Sequence, residues 1–224
     1  MRPLLLINPN TSESTTLEML SVARASAPPL QEVVGLTAAH GAALIDDEAK
    51  LETSAEAVVD VVRSVDLAGY RGVIVSAFGD PGLEALRLLS PVPVTGIAEA
   101  GIIEAARDGR RFSIVTTTPK LASAINKKVI QCGFGHLYAG LRLTEGPAEE
   151  VMKDPDLLEA SLARACEDAV SQDATEAIVI GGGPLAVSAA SLRWRFPVPI
   201  IEPVPAAVRL ALTRADDGDL PRAS

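Results

Sequence analysis

The chain has 224 residues, 48% hydrophobic and 22% charged, which suits one large α/β domain or two small ones. Its formal net charge of −9 repels phosphate backbones, and 3% aromatics offer no stacking series, so nucleic acid is not expected as a partner. No apolar run approaches the roughly 20 residues of a membrane-spanning helix. Two cysteines and no secretory pattern point to a reducing cytoplasm without a disulfide framework.

The first apolar run, Leu4 to Ile7, ends in Asn8-Pro9-Asn10. It is shorter than the roughly 7–15 residues of a signal core, so it reads as a strand near 3–8. Thr15 with Glu18 has capping-box spacing for a helix running to about Ala25. A strand near 32–37 precedes a helical stripe over 49–66, carried by Ala55, Val58, Val59, Val61 and Val62. Further strands are expected near 72–77, 92–96, 111–116, 138–143, 177–181 and 199–201. Asp80-Pro81, Thr118-Pro119 and Gly183-Pro184 each place a tolerated cap before Pro, the residue preferred at the first helical position. Helices are expected over 155–171 and 203–214, and the polar tail from Asp216 is expected to fray. Strands alternating with helices, most of them continuous aliphatic runs, indicate parallel βαβ units with both sheet faces covered.

The pattern repeats. Val73-Ile74-Val75-Ser76-Ala77 and Ile178-Val179-Ile180-Gly181-Gly182 are offset by 105 residues, and each runs into a Gly/Pro turn. Each is followed by a helix-like stretch and then by Pro-Val-Pro, at 91–93 and 197–199. Two copies of one α/β half are therefore expected: residues 1–96 with 203–224, and residues 97–202. The last helix would pack back on the first half. Facing halves would put equivalent strand ends, and so Ala77 and Gly182, on opposite walls of one cleft.

In parallel sheets ligands bind outside the carboxyl ends of the strands, where helix N-termini offer free N–H groups. Four such junctions stand out: Asn8 to Ser12, Ser76 to Gly82, Thr116 to Pro119, and Gly181 to Pro184. Asn8, Asn10, Thr11, Ala77, Phe78, Gly79, Thr116, Thr117, Thr118, Gly182 and Gly183 are the candidate ligand-binding residues. None of the four segments contains Lys or Arg, which favours a small uncharged or mono-anionic ligand over a polyphosphate.

Ile7-Asn8-Pro9-Asn10-Thr11-Ser12, Phe78-Gly79-Asp80-Pro81-Gly82-Leu83 and Arg111-Phe112-Ser113-Ile114-Val115-Thr116-Thr117 resemble signature segments of the aspartate/glutamate/hydantoin racemase superfamily, hydantoin and allantoin racemases in particular. The resemblance covers essentially the whole chain. It implies two Rossmann-like lobes related by a pseudo-twofold with the site between them, no cofactor and no metal, and a homo-oligomer. It also implies a mechanism. Two cysteines, one per lobe, stand on opposite faces of a carbon next to a carbonyl. One thiolate removes a proton and the other thiol returns one, while oriented N–H groups steady the enolate.

This chain departs from that pattern. The position of the first family cysteine, immediately before Phe-Gly-Asp-Pro-Gly, is Ala77, and that of the second is Gly182. The chain's own thiols, Cys132 at a helix end and Cys166 on an apolar helical stripe, read as small buried hydrophobes. A replacement acid or base would come from Asp80, Asp46, Glu99, Glu202 or water. Each carboxylate also has an ordinary reading: Asp80 as an N-cap, Asp46 as the acidic start of a helix, Glu99 and Glu202 as caps or ion-pair members. Ser76 is a candidate hydroxyl without a neighbouring base. His40 and His136 read as turn or surface residues and make no metal site. The expected function is that of a racemase-superfamily isomerase, or a lyase or hydrolase, running an enolate-type reaction on a small cyclic amide or carboxylic acid without paired thiols; the alternative is a catalytically silent homologue that binds such a ligand.

Overall fold

A computed structural model describes residues 1–219, and side chains through 217. The first half runs β1 (Leu4–Asn8), α1 (Glu13–Ser26), β2 (Val33–Thr37), α2 (Glu48–Arg63), β3 (Gly72–Val75), α3 (Leu83–Leu89) and β4 (Val94–Gly96). The second runs α4 (Ile97–Ala105), β5 (Phe112–Thr116), α5 (Ala122–Gln131), β6 (Tyr138–Leu143), α6 (Ala148–Val151), α7 (Pro155–Gln172), β7 (Ala177–Ile180), α8 (Ala186–Leu192) and β8 (Ile200–Ile201). A last helix, α9 (Pro203–Asp219), closes the described chain.

Two four-stranded sheets form, ordered β2-β1-β3-β4 and β6-β5-β7-β8, with every pairing parallel. The second order is the first with each strand replaced by its counterpart, so the repeat in the sequence is a repeat in topology. The expected two-lobed α/β architecture is borne out.

Strand geometry distributes the core. Successive side chains on a strand point to opposite faces. Leu4 and Leu6 of β1, Ile74 of β3, Phe112 and Ile114 of β5 and Val179 of β7 all enter one continuous core with residues of α1, α4, α5 and α9. The alternate residues, Leu5, Ile7, Val73 and Val75, pack outward under α2 and α3. Val115, Ile178 and Ile180 do the same on the other side with Leu158, Leu162 and Cys166. Each such side chain, moved from water to the interior, contributes roughly 1.5–3 kcal/mol. The shared core makes the two sheets one cooperative body. Helix α9 packs on α1, α4, β3 and β4, and Arg214 reaches the Val94 carbonyl at 3.1 Å.

Two helix starts and one helix end differ from expectation. Ser12, not Thr15, caps α1: its Oγ accepts from the Thr15 N–H at 3.2 Å, so the helix begins at Glu13, before the predicted capping box. Asp80 does not cap the helix that follows it, because Gly82, at φ +73°, intervenes and α3 begins at Leu83. The tail expected to fray from Asp216 is helical through Asp219, and Asp216 pairs with Arg71; residues 220–224 of that tail lie outside the described residues.

Candidate active site

The segments at the carboxyl ends of β1, β3, β5 and β7 line one cleft, partly open to solvent, of about 520 Å³ with the open solvent included. Ala77 and Gly182 both line it, one from each lobe. Asn10, Ser76, Phe78, Gly183 and Thr116 to Thr118 supply most of the polar edge. The opposite character comes from Leu44 and Ile45 beyond β2, Leu121 and Ile125 at the start of α5, Met152 and Leu185. None of the lining residues is Asp, Glu, His, Cys, Lys, Arg or Tyr.

The β1 turn is built by two asparagines with different roles. Asn8 is fully buried, and its Nδ2 donates to Asn10 Oδ1 at 2.8 Å and to Thr16 Oγ1 at 2.9 Å. It organises the turn and does not line the cleft. Asn10 Oδ1 also accepts from the Ser12 N–H at 2.9 Å, which fixes the amide orientation and leaves Nδ2 for a ligand. Thr11 stands outside the lining. Its N–H donates to the Ala42 carbonyl at 3.1 Å, which ties the turn to the segment bearing Leu44 and Ile45.

Hydroxyls at the other junctions are largely committed. Ser76 Oγ donates to the Ile7 carbonyl at 2.8 Å, a tie between β3 and β1, so this serine lines the cleft without being an activated nucleophile. Thr116 Oγ1 donates to the Gly181 carbonyl at 2.6 Å and fixes the turn after β7. Thr117 Oγ1 has only a 3.6 Å contact with Met152 Sδ. Among the described residues, the N–H groups of Ala77, Phe78, Thr117, Thr118, Gly182 and Gly183 have no acceptor within the protein. They are the donors best placed to meet a carbonyl oxygen or an enolate.

The lobes touch through the same turns. A Cβ on Gly183 would stand 2.9 Å from the Ser76 carbonyl oxygen and 2.8 Å from Met19 Sδ. A Cβ on Gly181 would stand 2.9 Å from the Phe78 ring. Glycine at these positions lets two backbones meet closely enough to close the floor of the cleft.

The four carboxylates considered from the sequence all lie elsewhere. Asp80 is buried and accepts from the N–H groups of Ala98 at 2.8 Å and Glu99 at 2.9 Å, with Lys128 Nζ at 3.0 Å. It therefore caps α4, its carboxyl group occupying the space that a Cβ on Gly96 would fill. Burial pushes its pKa up, against Lys128 and the two N–H donors, which pull it down. Gly79 also falls on that far side of the turn, outside the cleft lining. Asp46 is drawn to Lys50 one helical turn on. Glu202 is buried beyond β8 and bound by Arg193. Glu99 is gripped by Arg87 and Arg214; burial raises its pKa, but the two guanidinium groups outweigh that and hold it down at about 2. All four are occupied by structural partners, so none is placed as an acid or base for a ligand in the cleft.

The thiols are no substitute. Cys132 caps the end of α5 and burial raises its pKa to about 11; Cys166 is buried in the outer core and burial raises its pKa to about 12. His40 pairs with Asp60 on the surface, and His136 is exposed. Among the described residues no group of His, Cys, Asp and Glu is arranged to hold a metal ion. No described helix is long and apolar enough to cross a membrane.

Two matched parallel lobes, with the equivalent strand ends meeting across a cleft, define the racemase-type α/β architecture. Residues 4–211 match the family model for Asp/Glu/hydantoin racemases. The chain belongs to that family of racemase-type enzymes. It is 30% identical over 213 residues to a hydantoin racemase of Pseudomonas sp. strain NS671, covering 95% of this chain and 86% of the relative. Its fold superposes on an allantoin racemase from Klebsiella pneumoniae with a TM-score of 0.92 and 32% identity, over 97% of this chain and 89% of that one. An allantoin racemase from Pseudomonas fluorescens gives 0.91 and 31%, over 99% and 98%.

The four junctions are legible in the sequence, whereas the apolar wall is legible only in part. Leu121 follows Thr118-Pro119 by one turn and Ile125 by another, so both were within reach of a helical reading of that junction. Met152 lies at the end of the four-residue helix α6, where no local pattern announces it.

Proposed function

We propose that this protein binds a small, uncharged or mono-anionic cyclic amide of the hydantoin class in the cleft and stabilises its enolate, with water in place of paired thiols carrying the proton. The single observation that carries the reading is the pairing of free N–H groups from both lobes with a lining that has no titratable side chain. In the reaction, hydroxide takes the hydrogen from the carbon between a carbonyl and the ring nitrogen. The electron pair moves onto the carbonyl oxygen, toward the donors at 77–78 and 182–183. Water then returns a proton to either face, and the hydroxide is regenerated. Asn10 Nδ2 and Thr117 Oγ1 would hold the ring's polar edge, and the apolar wall would take the ring substituent.

Each oriented donor to such an oxyanion contributes on the order of 10²–10³ in rate, so acceleration without a protein base is modest but real. Support also comes from full-length similarity to proteins named hydantoin racemase and allantoin racemase. A second reading, binding without turnover, is favoured by the same untitratable lining.

The test is calorimetric titration with an enantiopure 5-substituted hydantoin and with allantoin, followed by deuterium uptake at the ring carbon in deuterium oxide. Binding with uptake above the protein-free rate upholds the proposal. Binding with none leaves the silent-binding reading, and neither binding nor uptake overturns both.

A further inference from the structure

We propose that Lys128 is a positioning residue of the cleft: through Asp80 it sets where the turn bearing the Ala77 and Phe78 N–H groups stands relative to the opposite lobe. This rests on the enolate-binding reading for its functional consequence, though not for its mechanical content.

The turn from Ala77 to Gly82 has little of its own to hold it in place. Gly79, Asp80 and Gly82 lie at φ +123°, +52° and +73°, the left-handed region, which an aspartate adopts only where its surroundings over-determine it. Within the turn, the Asp80 N–H donates to the Ala77 carbonyl at 3.0 Å and the Leu83 N–H to the Asp80 carbonyl at 3.2 Å. What over-determines the conformation lies outside it. The Asp80 carboxylate has no solvent exposure and is met by two N–H donors from α4 and by Lys128 from α5.

Lys128 belongs to the second half, and its side chain is 12% exposed. It shares one face of α5 with Ile125, which lines the cleft. A single helix therefore touches the ligand cavity with one residue and, three residues later, holds the carboxylate behind the opposite wall. A chain of contacts runs from Ile125 along α5 to Lys128, through the ion pair to Asp80, and through one hydrogen bond to Ala77. Loss of the ammonium leaves a buried carboxylate without its only cationic partner, and the turn it anchors keeps two N–H ties to α4 but loses its tie to α5.

The test uses the full chain with Lys128→Met, Lys128→Arg and Asp80→Asn. The first readout is amide hydrogen exchange at Asp80 and Leu83 relative to Val75 in β3. The second is the kcat and KM of deuterium uptake into a 5-substituted hydantoin. Lys128→Met is expected to speed exchange at Asp80 and Leu83 about tenfold relative to Val75. It is expected to lower kcat by on the order of ten- to a hundredfold with little change in KM, as misplacement of donors does. Lys128→Arg, which keeps the charge, is expected to recover most of both. Unchanged protection in Lys128→Met, or loosening no greater than at Val75, overturns the proposal. If Lys128→Met does not fold, protection kept by the Arg variant and lost by Asp80→Asn upholds it, and protection kept by both overturns it. A wild-type protein that takes up no deuterium defeats the enolate reading alone; the amide comparison still decides the clamp.

Discussion

Ala77 and Gly182 stand at equivalent places in the two halves of the chain and line one cleft from opposite lobes. In the resemblance drawn from the sequence these are the two family cysteine positions. Here one offers a methyl group and the other no side chain, and nothing titratable in the lining replaces them. The two-walled cleft is kept, while its lining carries no Cys, Asp, Glu, His, Lys, Arg or Tyr. The consequences are measurable.

Without a protein acid or base, deuterium uptake should follow hydroxide. Between about pH 6 and 8, below the ionisation of the substrate's imide N–H, the protein-dependent rate is expected to rise roughly tenfold per pH unit, with no bell. A pH–rate profile checks this; an inflection below about pH 8, where the substrate's own imide N–H stays protonated, would reveal a protein group in the reaction.

The thiols should be dispensable. With burial raising Cys132 to about 11 and Cys166 to about 12, both are protonated at neutral pH. Cys132→Ser and Cys166→Ala are expected to leave binding and deuterium uptake within about twofold of wild type, apart from a stability loss at Cys166. Iodoacetamide labelling of the native protein at pH 8 should be slow.

Gly183→Ala should separate the lobes. The added methyl group would meet the Ser76 carbonyl oxygen at 2.9 Å, and a backbone atom has little room to give. A stability loss of about 1–3 kcal/mol is expected, together with weaker ligand binding. Denaturant melts and titration calorimetry read the two effects separately.

Glu99 should govern part of the acid sensitivity. Its folded pKa of about 2 lies below its ordinary 4.5, so its contribution is complete above about pH 4.5 and is lost as pH falls toward 2. Glu99→Gln leaves Arg87 and Arg214 facing a neutral group. It is expected to cost roughly 2–3 kcal/mol at pH 7 and to flatten the fall in Tm between pH 5 and 3.

Much of the fold was legible in the sequence because parallel strands buried on both faces appear as continuous aliphatic runs, as Leu4 to Ile7 and Ala177 to Ile180 do. The repeat gave the topology its symmetry. Turn chemistry was harder. Asp80 before Pro81 looks like a local cap, but its partners Ala98 and Glu99 lie 18 and 19 residues on, and Lys128 farther still. A charged residue in a turn has many possible partners, and only the tertiary fold selects among them. Asn8 was similarly ambiguous: its spacing to Asn10 suits ligand contact, but burial commits it to holding the turn.

That Ala77 and Gly182 face one ligand from opposite sides is tested by the Ala77→Cys/Gly182→Cys double variant, with Leu185→Ala added if needed, since a Cβ at 182 would stand 2.9 Å from Leu185 Cδ1. Polarimetry on an enantiopure 5-substituted hydantoin is the measurement. The expected result is rapid racemisation that far exceeds wild type, requires both thiols and is abolished by alkylation. A folded, ligand-binding double variant that racemises no faster than wild type would contradict the claim that these two positions face one ligand from opposite sides.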